Sequence, residues 1–163
     1  MRYRALAGLV LTVVLSGCPK EKEDDTLTFA EALQAVEEST LSSQAQSLQS
    51  ASVEITTSFT IGQAVENAAQ EIKDFVGTQL PCAEITLADA TLTVKYGAKP
   101  GNCTYKGHKF SGTHSIQVEK NDQAQVLVHH TWADLTNGVV KLNGTADVTW
   151  DFQELSRKVV HKV

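Results

Sequence analysis

The chain lacks any apolar run of the roughly 20 residues that a membrane-crossing helix needs; its most apolar stretch, Ala5 to Leu15, is about half that length. Aromatic residues make up only 6% of it, and no basic cluster is interleaved with them, which argues against stacking platforms for single strands or sugars. The formal charge is -5, and loss of Met1 to Gly17, which holds Arg2 and Arg4 but no acid, would leave -7. An acidic body is a poor nucleic-acid binder, so no nucleic-acid partner is expected. The sequence also has no Gly-x-Ser-x-Gly elbow, no phosphate loop, no Gly-x-Gly-x-x-Gly, no His-Glu-x-x-His and no Cys-x-x-Cys. Neither an enzyme nor a cofactor is expected. What remains, 42% hydrophobic and 20% charged residues, suits one globular domain with a tail.

The tail comes first. Met1-Arg2-Tyr3-Arg4 is a short basic segment, Ala5 to Leu15 has the length of a secretory h-region, and Leu15-Ser16-Gly17-Cys18 follows. This order resembles the signal peptide and lipobox of bacterial lipoproteins. The resemblance implies that Met1 to Gly17 is removed and that Cys18 receives a diacylglyceryl thioether and an acylated amino group, through the lipoprotein export and sorting machinery. One acyl chain gives only reversible attachment at about 0.8 kcal/mol per methylene, whereas two or three on one residue anchor stably. Residues 18–27, with Pro19 and then alternating charge, read as a solvated tether to the bilayer. Pro19, in place of the aspartate that retains such proteins at the inner membrane, favours the outer membrane.

Residues 28–163 read as a single α+β domain, with N-terminal amphipathic helices packed on an antiparallel β-meander, a curved sheet or partial barrel. Thr28-Phe29-Ala30-Glu31 fits a capping box. Phe29, Leu33 and Val36, then Leu41, Ala45 and Leu48, follow helical spacing, and the six serines between Ser39 and Ser52 predict a helix that frays or breaks in its second half. Val53, Ile55, Thr57, Phe59 and Ile61 alternate with polar residues and predict a strand. Ile61, Val65, Ala68, Ile72 and Phe75 restore helical spacing, with Gly77 as C-terminal cap and Pro81 as stop. These apolar stripes are expected to cover the sheet rather than to bind a partner.

From Cys82 onward the apolar positions alternate in short runs separated by Lys99-Pro100-Gly101-Asn102, Lys120-Asn121-Asp122 and Asn137-Gly138. With Cys18 committed to lipid, Cys82 and Cys103 form an even pair in an exported chain, which predicts a disulfide and no thiol nucleophile. A straight strand from Cys82 to Gly97 would span about 50 Å at 3.3 Å per residue, too far for the steps back to Cys103 to recover. The chain must therefore reverse, and Ala88-Asp89-Ala90, where apolar positions switch from odd to even, is the place. Val126, Val128 and Trp132 against Leu127 and Leu135 put apolar residues on both faces of one strand, which predicts a strand covered on both sides. Arg157 to Val163 reads as a strand with an open edge, and the native frame is expected to continue past it.

Pro81-Cys82, Lys95-Tyr96-Gly97, Gly101-Asn102-Cys103, Gly107-His108-Lys109-Phe110-Ser111-Gly112 and Asn143-Gly144-Thr145 together resemble a group of uncharacterised Gram-negative envelope lipoproteins. The resemblance implies a cysteine-bracketed β-hairpin and a Gly-x-x-x-Ser-Gly stretch opening the next strand, but no activity.

Histidines are the remaining candidates for chemistry. His108 and His114, placed on one strand, would lie about 20 Å apart, and His129 and His130 point to opposite faces. Pairing Ile116 with Val126 puts His114 beside Val128 and diagonal to His130; a one-residue slip puts it opposite His129. His114 and His130 are thus the metal-ligand candidates, one short of the three protein ligands usual in catalytic zinc, and no metal is expected. Three functional classes follow: a structural or interaction lipoprotein, a carrier of a lipid or other apolar ligand between sheet and helices, and a hydrolase or metalloprotein. An apolar cavity of several hundred Å³ would favour the carrier; a filled core would favour the first class.

Overall fold

The structure, a computed structural model, describes residues 27–57, 65–120, 125–151, 154 and 156–162. The leader, Cys18, the tether up to residue 26, Phe59, Ile61 and the Asn121-Asp122 turn lie outside the described residues. Two helices, α1 (Phe29–Ile55) and α2 (Val65–Gln79), precede β1 (Glu84–Ala88), β2 (Thr91–Tyr96), β3 (Thr104–Tyr105), β4 (His108–Lys109), β5 (Ser111–Lys120), β6 (Val126–Thr136), β7 (Lys141–Asp151) and β8 (Ser156–Lys162). Six strands make one antiparallel sheet in the order β1-β2-β5-β6-β7-β8, and the β3-β4 hairpin is inserted between β2 and β5. The fold is α+β, as the alternation predicts, and the sheet is not closed into a barrel.

The capping box forms. Thr28 N–H donates to Glu31 Oε2 at 2.8 Å, and Glu31 N–H donates to Thr28 Oγ1 at 3.3 Å. The serine-rich second half of α1 neither frays nor breaks. Its hydroxyls bond back to the preceding turn, Ser43 to the Ser39 carbonyl at 2.9 Å and Ser52 to that of Gln49 at 2.7 Å. Leu48, Ala51 and Ile55, at i, i+3 and i+7, are buried against the body, so tertiary packing overrides propensity. The strand expected at Val53 and Ile55 is therefore the last turn of this helix, and Thr57 follows it. Gly77 does not end α2, which runs on to Gln79 because Leu80, fully buried, donates its amide to Val76. Pro81 still marks the stop.

On β2, β5, β7 and β6 up to its bulge, even-numbered positions face the helices. Leu92, Val94, Ile116, Val118, Val126, Val128, Ala146 and Val148 close one core with Leu48 and Ile55 of α1 and Ala68, Ala69, Ile72 and Val76 of α2. The β1-β2 reversal falls at Asp89-Ala90, and pairing Leu87 with Leu92 brings odd and even positions to the same face.

Cys82 and Cys103 are disulfide-bonded, with Cα atoms 5.4 Å apart across a sequence separation of 21. The bond brackets the β1-β2 hairpin. Replacing both cysteines by serine is expected to lower stability by about 3 kcal/mol, because the unfolded chain regains the freedom of that loop. A urea midpoint unchanged by the double replacement would refute this.

The register of β5 on β6 differs from expectation by four residues: Ile116 pairs with His130 and His114 with Trp132. An even shift keeps every side chain on its face, so the core is unaffected. The apolar residues on both faces of β6 also have a different cause. A bulge lies between Trp132 and Leu135, where Asp134 has φ 53°, and the extra residue moves Leu135 from the outer parity to the inner one. Leu135 is fully buried while Leu127 is half-buried on the outer face, so β6 is not covered equally on both sides.

Candidate functional site

Beneath the C-terminal half of α1 the sheet carries polar side chains in its core. His114 on β5 and His130 on β6 lie on the inner face, diagonal to one another, and are 0% and 1% exposed. His114 Nε2 is 3.0 Å from His130 Nδ1, and Tyr96 Oη of β2 is 3.1 Å from His114 Nδ1. Thr56, just beyond α1, places Oγ1 3.4 Å from His130 Nδ1, and its proton is directed at the Ser52 carbonyl, 2.8 Å away. Trp132 stacks on His130 with an interplanar angle of 15°.

One arrangement of protons satisfies this chain best. Tyr96 O–H donates to His114 Nδ1, and His114 Nε2–H donates to His130 Nδ1. Only the proton on His130 Nε2 is then unmatched, and that nitrogen has no hydrogen-bond partner. Reversing the chain leaves the Tyr96 proton without an acceptor and the His130 Nε2 lone pair without a donor. Burial raises the Tyr96 pKa, which keeps the phenol protonated as a donor. It holds His114 well below the usual imidazole range, with His130 a second cause. Burial, then the charge of Arg157, pushes His130 down to about 3. Both imidazoles are neutral near pH 7.

The geometry brings His114 and His130 together as neighbours in a hydrogen bond. Among the described residues no group of three or more His, Cys, Asp or Glu side chains is placed to hold a metal ion. The other histidines are dispersed. His108, on β4 rather than on one strand with His114, contacts Ser47 Oγ at 3.1 Å. His129 faces outward between Asp147, at 2.7 Å, and Glu119, at 3.5 Å. His161 lies on β8 opposite Ala146, beside a surface cleft of about 400 Å³ that Glu54 and Arg157 also line. Tyr96 and Thr56 complete the polar chain and are absent from the sequence-derived candidates. Tyr96 shares the even parity of His114 and so had a sequence signal; Thr56 had none, because the alternation there reads as strand.

No helix among the described residues is long and apolar enough to cross a membrane. Comparison with known proteins finds no matching protein-family model, no matching curated protein and no matching solved structure.

Proposed function

We propose that the chain is a lipid-anchored module of the cell envelope, attached through acylated Cys18 and favouring the outer membrane, whose folded body meets envelope partners through its surface. The leader sequence and Leu15-Ser16-Gly17-Cys18 support the attachment. One structural observation favours an interaction module over a carrier: side chains fill the space between helices and sheet. Leu48, Ile55, Ile72, Leu92, Phe110, Ile116 and Leu135 are all less than 2% exposed there. The clefts of about 400, 490 and 620 Å³ open at the surface instead. The histidine pair serves the core in this reading and carries no catalytic step, since neither ring is exposed.

Native mass spectrometry of protein extracted from membranes tests both halves. The expected result is a mass increased by a diacylglyceryl and an acyl group at Cys18, with no further lipid released on unfolding. An unmodified Cys18 would reject the anchor, and a stoichiometric lipid released on unfolding would establish the carrier.

A further inference from the structure

The apolar stripe at the start of α1 is not covered. Phe29 is 80% exposed, Leu33 55% and Val36 64%, so the expectation that this stripe covers the sheet fails for the first two turns of the helix. Of the stripe expected on α2, Ala68 and Ile72 are buried and Phe75 is half-buried, and Ala69 and Val76 join them in the core. The cause is length. At 1.5 Å per residue α1 is about 40 Å long, and only its last two turns, from Leu48 onward, sink into the body.

Helical geometry, about 100° per residue, sets Phe29, Leu33 and Val36 within a narrow arc, with Glu31, Gln34 and Glu38 on the other side. The same arc continues through Thr40, Ser43 and Ser47 into a groove beside His108 and Asn137. Leu33 stands a whole number of turns before buried Ala51, so the stripe borders the buried side of the helix but lies on the part of α1 that the body leaves uncovered. A free-standing helix of four turns is marginal in water, and here a capping box and a Gln34–Glu38 hydrogen bond of 2.9 Å support it.

We propose that this half of α1 lies on the surface of the bilayer that holds Cys18, with Phe29, Leu33 and Val36 inserted among the lipids. The inference rests on the reading of Cys18 as the acylated residue. Two observations select a lipid surface as the occupant, and a third selects its charge. First, Cys18 stands ten residues before Thr28, so an extended tether reaches at most about 35 Å and holds the stripe close to the membrane. At the effective concentration such a tether creates, a weak interfacial helix is populated that would not bind from solution. Second, three side chains fall well short of the about 800 Å² per partner that a stable protein interface buries, which disfavours a second copy as the occupant. Third, α1 carries Glu31, Glu37, Glu38 and Glu54 and no lysine or arginine. That charge fits a zwitterionic surface and opposes an anionic one.

The test uses full-length, membrane-extracted protein in phosphatidylcholine vesicles. An environment-sensitive fluorophore is attached through L33C in one sample and Q34C, on the opposite arc, in another. Quenching by nitroxide-labelled lipid is expected to be several-fold stronger at position 33 than at position 34. Equal quenching at the two positions overturns the proposal. So does shielding of position 33 that increases with protein density and is insensitive to nitroxide lipid, which would assign the stripe to a second copy. The intact mass of each sample separates the two readings: acylated Cys18 without quenching at position 33 rejects the stripe alone, and unmodified Cys18 rejects the anchor.

Discussion

Acidification from neutrality to about pH 5 is expected to destabilise the fold by roughly 4 kcal/mol, a large share of the 5–15 kcal/mol typical of a domain. In the unfolded chain both His114 and His130 take up protons below about pH 6.5. In the fold they stay neutral, His130 down to about pH 3. The unfolded state therefore binds more protons across that window, and stability falls as pH falls. Each histidine changes the folding equilibrium constant by roughly tenfold per pH unit once the unfolded chain is protonated. The interval between pH 7 and 5 lies above the range where ordinary carboxylates titrate, about pH 4, so it isolates the imidazoles. Urea denaturation at closely spaced pH values gives the midpoint directly, and H130Q should remove about half of its pH dependence. A midpoint that stays flat across the interval would mean that the rings are not buried neutral.

The buried pair could be anticipated because parity survives errors of register. The sequence puts His114, Ile116, Val118 and the even positions of β6 on one face, and any even shift keeps them there. His114 and His130 are diagonal neighbours in both the expected register and the observed one, on opposite sides of the direct pair. The register itself was not legible, because alternation defines which face a residue takes and not the offset of one strand on the next. Val53 and Ile55 misled for a related reason. Alternating β-branched residues also belong to a helix when Leu48, Ala51 and Ile55 supply its buried face, and a stretch this short satisfies both periods. Leu135 misled through a bulge, which inserts one residue and inverts the parity of everything after it. The Cys82–Cys103 disulfide was legible from the even pair left once Cys18 is read as the lipid attachment, and the reversal at Asp89-Ala90 because a bond between those cysteines requires the chain to turn back. Thr56, and the free-standing half of α1, depend on where the helix sits on the sheet. No local pattern records that.

The bulge supplies the other large effect, at the last glycine of Gly107-His108-Lys109-Phe110-Ser111-Gly112. Gly112 has φ 103°, and a Cβ built on it would lie 2.2 Å from the Asp134 carbonyl oxygen and 2.7 Å from its carbon. The clash is with backbone, so no side-chain rotation relieves it. Sliding the bulge along β6 does not help, because residues on one side of it would then change face, exposing Leu135 or displacing Trp132 and His130 from the core. Asn143 Oδ1 also accepts the Asp134 amide at 2.9 Å, which holds the extra residue in place over Gly112. G112A is therefore expected to cost about 3 kcal/mol or more, combining left-handed strain with the separation of β5 from β6. Gly138, at the β6-β7 turn, is the control: its φ is 94°, yet a Cβ there meets nothing within 4 Å. G138A should show the strain alone, about 1 kcal/mol. Urea midpoints of the two variants separate the contributions. If G112A were no less stable than G138A, the close approach of Asp134 would not constrain the sheet, and the bulge would be free to move without disturbing the histidine pair beneath α1.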